Sequence, residues 1–265
     1  MLKRFGLLFL CLFLTFPAQA DPLPAHADAV KPDDYIRPTW SDLLRTMVRF
    51  NALDLSDDNL LDSYASVTEC DLYQFYYKDD FKWNQVRKSL RESISMNTQT
   101  FPVYYRFDSE VLLDRYDFQN KVYRFQEKSV IRNVNLFRIY DVQGSPCGDP
   151  ASQYMPRSFQ AASDTTVNLN GLPLAPADAQ ALLRQMNDDK NYDRVLFMRV
   201  NMTVTYIGRL HKEITDLGVN GKRAIYFQNK DTDPHVVKLD VRLDSVAFYE
   251  DQDKTKLVYT FKPEL

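Results

Sequence analysis

Glycine and histidine are scarce in this sequence, with seven and three residues respectively among 265, and there are only three cysteines and two tryptophans. So little glycine excludes the backbone loops that cradle nucleotide phosphates. No Gly-x-Ser-x-Gly elbow, no Ser-x-x-Lys pair and no His-Glu-x-x-His helix occurs, so the common nucleophile and zinc-protease patterns are absent. The histidines are His26, His211 and His235. His211-Lys-Glu213 puts an imidazole two residues from a carboxylate, a spacing that reads as solvated polarity. Asn229 to Asp240 sets oxygen ligands at alternate positions like a calcium loop. However, Pro234 stands where the sharp turn needs glycine and Asp240 where a longer glutamate is usual, so the segment reads as an acidic hairpin loop. No metal and no cofactor are expected. Basic blocks are absent too, which argues against nucleic acid as a partner.

Long hydrophobic runs are missing except at the start. Lys3 and Arg4 precede an apolar stretch from Phe5 to Phe16, and Ala18-Gln19-Ala20 follows. This is the anatomy of a secretory signal cleaved after Ala20, with an apolar run of about twelve residues, too short for a membrane-spanning helix. The expectation is a periplasmic or secreted protein, not an integral membrane protein once cleaved. Removing Lys3 and Arg4 takes the net charge from −3 to −5. Cys70 and Cys147 remain, an even count in an exported chain, so they form a candidate disulfide. A buried thiol at Cys70 is the other reading.

Residues 21–38 hold four prolines and read as a disordered leader, with a single domain over 39–265. Thr39 and Asp42 outline a capping box before the stripe Trp40, Leu43, Leu44, Met47 and Val48. Ser56 is the expected next cap. The stripe from Leu60 through Val67 is expected to run on through Leu72 and Phe75. Asp79 or Asp80 restarts a helix carrying Trp83, Val86, Leu90 and Ile94. Beyond Asn97 the period drops to two. Residues 130–140 are apolar on both parities, as in a central strand, and 141–158 read as a loop. Asn170-Gly171 signals a turn, and a short helix is expected over about 176–187. Strict alternation marks 196–206, and again 237–249, where one parity is dry and the other charged. The fold class expected is α+β: N-terminal helices packed on a largely antiparallel sheet, with one further inserted helix.

Leu112-Leu-Asp-Arg-Tyr-Asp-Phe118 with Phe125 beyond it, then Leu174 to Leu183 leading into Val195-Leu-Phe-Met-Arg-Val200, resembles a family of exported bacterial proteins of unknown function. The resemblance implies an envelope location and brings no catalytic residue.

Aromatic residues make up 13% of the chain. They are densest in Cys70-Asp-Leu-Tyr-Gln-Phe-Tyr-Tyr-Lys-Asp-Asp-Phe-Lys-Trp83. Tyr73, Tyr76 and Tyr77 fall off the core stripe there, and with Tyr116 and Phe118 they are the candidate ligand-binding residues. The function expected is a non-catalytic binding or structural module whose partner is an envelope protein or a glycan. A hydrolase with a carboxylate pair invisible to sequence is the alternative. An exposed aromatic patch would separate the two.

Overall fold

The computed structural model describes residues 34–139, 155–156, 158–191, 193–207, 211–216, 223–228 and 236–263. Ordered contacts begin before Thr39. Tyr35 is 6% exposed, and the backbone of Ile36 forms a parallel bridge to Tyr105. Residues 34–38, expected within the disordered leader, therefore make ordered contacts, because Tyr35 and Ile36 supply apolar anchors among the prolines. The signal segment lies outside the described residues.

Helix α1 (Trp40–Arg49) starts as its sequence dictates. The Thr39 hydroxyl accepts from the Asp42 backbone N–H at 3.1 Å, and the Asp42 carboxylate accepts from the Thr39 N–H at 3.2 Å. It stops with Asn51 at φ 54°, while Ala52 N–H reaches the Met47 carbonyl and Asn51 N–H the Val48 carbonyl, a Schellman closure. Helix α2 (Asp58–Thr68) is capped by Asp57, not Ser56: its carboxylate accepts from the N–H groups of Asn59 and Leu60. Every residue from Leu60 to Val67 is buried, so α2 is a central helix covered on all sides. Helix α3 (Cys70–Tyr76) and helix α4 (Asp80–Asn97) follow. Asp79 caps α4 through the Lys82 N–H. As the spacing predicts, Trp83 and Leu90 are buried and Val86 and Ile94 pack against the core.

Among the described residues ten strands follow, with a fifth helix between them: β1 (Tyr104–Asp117), β2 (Val122–Phe125), β3 (Ile131–Ile139), β4 (Ser158–Leu169), β5 (Gly171–Pro173), helix α5 (Pro176–Asp188), β6 (Val195–Ile207), β7 (His211–Asp216), β8 (Arg223–Gln228), β9 (Val236–Tyr249) and β10 (Leu257–Phe261). Eight form one sheet in the order β3-β4-β9-β6-β1-β2-β5, with β10 also on β9. Only the β4–β9 pairing in it is parallel. β7 and β8 pair with each other as a separate hairpin. This is the α+β class, with helices preceding a mostly antiparallel sheet and α5 inserted. Pro176 opens α5, and Ala179, Leu182 and Met186 are its buried face.

β3 differs from its expected place. It has one partner, β4, and lies at the edge of the sheet, with Leu136 38% exposed. Apolar residues on both parities there reflect partial cover rather than a central position. The alternation along β6 and β9 is also interrupted. Between Asn201↔Ser245 and Met202↔Leu243, Asp244 is an extra residue on β9. Parity flips there, so Val237, Leu239, Val241 and Leu243 are buried, and then Val246 and Phe248. Thr205 is a second extra residue, on β6, which leaves Tyr206 56% exposed and buries Ile207. The bulged Asp244 is put to use: its carboxylate accepts from the Tyr35 hydroxyl at 3.0 Å, Thr203 Oγ1 at 2.6 Å and Arg242 Nε at 2.8 Å. Among the described residues, Gly171 marks a close approach that requires glycine. A Cβ there would press on the Tyr123 carbonyl oxygen, with Val122 Cγ1 at 2.6 Å and Arg124 Cα at 2.9 Å.

Candidate functional site

Between α2 and α3, Glu69 adopts φ −133°, ψ 53°. That break resets the helical phase, so the α2 stripe does not run on into α3. Leu72 and Phe75, expected in the core, stand 38% and 81% exposed instead. Tyr73, expected to point away, is buried at 2%. Its ring stacks on Tyr77 at 4.3 Å and meets Trp83 edge-on at 5.4 Å. Trp83 Nε1 donates to Asp62 Oδ1 at 2.8 Å, and Arg87 grips the same carboxylate through Nε at 2.7 Å and through Nη2. Arg87 and Arg91 also hold Asp58. The aromatic trio is therefore held through Trp83 by a charged clamp joining α2 to α4, with the buried Asp62 at its centre.

In front of that clamp the corner between α3 and α4 is bare. Leu72, Phe75, Tyr76, Tyr77 and Phe81 all emerge there, Phe81 at 86% exposure, and Phe75 and Tyr76 lie 6.4 Å apart. The corner opens into a groove of ≈ 940 Å³ between α4, the end of α3, Arg45 of α1 and the Phe101-Pro102 turn. Val86, Leu90 and Ile94 form its apolar wall; Gln85, Ser89, Ser93 and Asn97 line it beside them. Tyr64 lies at the floor, its phenol pushed up by burial. Arg45 is paired with Glu69 at 3.1 Å and Lys82 with Asp79 at 3.2 Å. Glu69 is the one carboxylate among the groove's lining residues.

Tyr116 and Phe118 sit elsewhere, on the β1–β2 hairpin. The Tyr116 hydroxyl donates to the Leu174 carbonyl at 2.7 Å, and its ring meets Tyr123 and Phe118 edge-on. Phe118 is 77% exposed at the tip. Asp117 closes this hairpin by accepting from Asn120 Nδ2 and from the N–H groups of Gln119 and Asn120, and it pairs with Arg124. The Asn120 side chain, its N–H and Arg124 hold the Asp117 carboxyl well below the usual range. No ring contact joins the hairpin rings to the α3 rings among the described residues, so the five sequence candidates do not form one site. Tyr76 and Tyr77 belong to the exposed corner, Tyr73 to its support. Phe75, Phe81 and Leu72 are the corner residues that periodicity missed. For Leu72 and Phe75 the cause is the break at Glu69, which no residue pattern announces, while Phe81 lies in the first turn of the helix that Asp79 restarts.

Cys70 is 9% exposed at the first residue of α3, and Cys147 lies outside the described residues. So do His235 and most of the 229–240 segment, and nothing is described of the His211 and Glu213 side chains. Among the described residues no three His, Cys, Asp or Glu side chains are grouped to hold a metal ion. No described helix is long and apolar enough to cross a membrane.

The family described as a domain of unknown function (DUF4852) matches residues 56–230. The chain belongs to that family. No curated protein and no solved structure matches. The DUF4852 span contains α2 to α4, with the aromatic corner, and the β1–β2 hairpin. It ends before β9 and β10.

Proposed function

We propose that this chain is a non-catalytic binding module of the cell envelope. Its leader is cleaved after Ala20, and its partner is a protein that docks on the α3–α4 corner. The observation that carries the reading is the set Leu72, Phe75, Tyr76, Tyr77 and Phe81, all exposed within ten residues of chain beside the Asp62 clamp. Phe75 and Phe81, each more than four-fifths exposed, leave apolar surface in water that a partner would cover. Tyrosine and phenylalanine are the side chains that protein interfaces favour. The acidic and basic residues of the adjoining groove are consumed in pairs, Arg45 with Glu69 and Lys82 with Asp79, which supports binding rather than proton transfer. The same reading includes a disulfide between Cys70 and Cys147, which would tie the start of α3, and so the corner, to a point far along the sequence.

A photo-cross-linking amino acid placed at Phe75 or Phe81 in cells tests this. The expected outcome is one adduct of defined mass, absent when the cross-linker sits at Lys238 and lost when the other phenylalanine is changed to serine. Equal cross-linking from all three positions, or from none, would overturn it.

A further inference from the structure

Alternate residues of β1 face opposite sides of the sheet. Tyr105 and Val111 are buried with the core, so Arg106 and Asp108 stand on the other side. The register sets their neighbours there: Asn201 and then Ser245 beside Arg106, Arg199 and then Ala247 beside Asp108. Arg37, ahead of α1, and Lys254, from the loop between β9 and β10, reach the same place.

Charge does not balance at this point. One carboxylate, Asp108, serves three cations. Arg199 Nε donates to Oδ1 at 3.1 Å, while Lys254 Nζ and Arg37 Nη2 share Oδ2 at 3.5 and 3.8 Å. Arg106 is a fourth cation on the same side. Its Nε is buried and unpaired, and its guanidinium has no acceptor among the described residues. Arg242, beyond it, is matched by Asp244. Glu110, the next acid along this side of β1, is exposed and forms no ion pair among the described residues. Four cations against Asp108 leave an excess of three, or of two when Glu110 is counted, in a chain whose net charge is −3.

The excess is also drawn out of water. The Lys254 side chain is 11% exposed and that of Arg199 17%, and Arg106 is half-buried. Tyr249 lies 5.7 Å from the Arg199 guanidinium and Phe197 5.8 Å from the Lys254 ammonium, and Lys254 also donates to the Gln252 carbonyl. Those contacts hold the cations in place without cancelling their charge. Partly buried cations short of counter-charge cost free energy that a bound anion returns. Asn201, in register with Arg106, is 9% exposed; its Nδ2 donates to Ser245 Oγ at 3.2 Å and its Oδ1 has no partner. Turning that amide over lets the Ser245 hydroxyl donate to Oδ1 and frees Nδ2 as a second uncommitted donor beside Arg106.

We infer that this side of the sheet binds a phosphate group, with Arg106 as its principal ligand and Arg199 and Lys254 flanking it. A further carboxylate would bring one charge, as Asp108 does, and leave a surplus. Phosphate brings close to two, with several acceptor oxygens, and guanidinium forks beside an ammonium suit it. The assignment is independent of the aromatic corner.

The test is calorimetric titration of the purified mature protein with sodium phosphate at constant ionic strength. Wild type is compared with Arg106→Gln and Lys254→Gln, and with Lys88→Gln, an exposed cation on α4, as control. The expected result is saturable binding to wild type and to Lys88→Gln, about ten-fold weaker in the other two. Arg106 leaves no acceptor behind, so Arg106→Gln should melt no lower than wild type in chloride. Vesicles of phosphatidic acid in phosphatidylcholine separate the sources. Co-sedimentation of wild type that Arg106→Gln loses assigns the phosphate to a lipid headgroup; titration by free phosphate without co-sedimentation assigns it to a soluble ligand. Equal binding by wild type and Arg106→Gln, or binding of neither phosphate nor these vesicles by wild type, would overturn the inference. So would a clearly lower melt of Arg106→Gln in chloride, which would mean that the charge of Arg106 is already matched within the fold.

Discussion

Glu250 carries an acid to a place where few acids sit. It is 7% exposed at the end of β9, and its Oε1 is buried with no partner among the described residues. Burial is the main cause that raises its pKa above the ordinary 4.5; Asp189 and Asp251 push the same way and Lys256 opposes them. An acid raised in the folded state contributes stability that is complete below its unfolded pKa and lost as pH rises through the folded value. Glu250→Gln is therefore expected to melt higher than wild type at pH 7, with the difference closing below pH 4.5. Thermal melts across that range check it; a variant that melts lower at pH 7 would mean that Lys256 holds the charge at a profit. Its neighbour Asp251 behaves oppositely. Burial works upward there too, but the Thr255 and Lys256 N–H groups outweigh it and lower the value to about 2. Sequence marks Glu250 to Lys256 as one charged loop. It does not tell these two acids apart, because the difference lies in which carboxylate the turn folds inward.

The clamp between α2 and α4 is the element that sets the site. Asp62 is 6% exposed and satisfies Trp83 Nε1 and the Arg87 guanidinium together. Removing it leaves a buried indole N–H and a part-buried cation without their acceptor. Asp62→Ala should cost about 3 kcal/mol, read as a lower urea midpoint. Asp62→Asn, which keeps an acceptor for Trp83, should fall between it and wild type. Caps and stripes at this scale were legible: Thr39 with Asp42, Asp79, Pro176, and the faces of α1, α4 and α5. What failed were phases. A stripe is readable only while the backbone keeps one geometry, and Glu69 leaves it between α2 and α3. The extra residues Asp244 and Thr205 do the same to β9 and β6, which is why Tyr206 and Val246 fall on faces opposite to those their alternation implies.

At the scale of the whole molecule, fold class was readable because periods of near four and of two segregate along the chain. Strand order was not, since pairing partners are distant and β4 meets β9 in parallel. The covalent tie proposed above acts at this scale. A bridge from Cys70 to Cys147 would close 77 residues in the unfolded chain, a contribution of roughly 4 kcal/mol in the chain-entropy picture. The mature protein, denatured without reductant, should then release no thiol to Ellman's reagent, and Cys70→Ser should lower the urea midpoint. Two titrating thiols in that first assay would dismiss the bridge.

β9 is the seam of the sheet: it alone joins β4, β6 and β10. Yet it begins at residue 236. A nascent chain emerging N-terminus first carries β1, β2, β4 and β6 long before the strand that unites them exists. Its two halves carry half-paired edges until residues 236–249 supply their common neighbour. Joining them is a long-range pairing, and until it forms those open edges are where the chain is exposed to wrong partners.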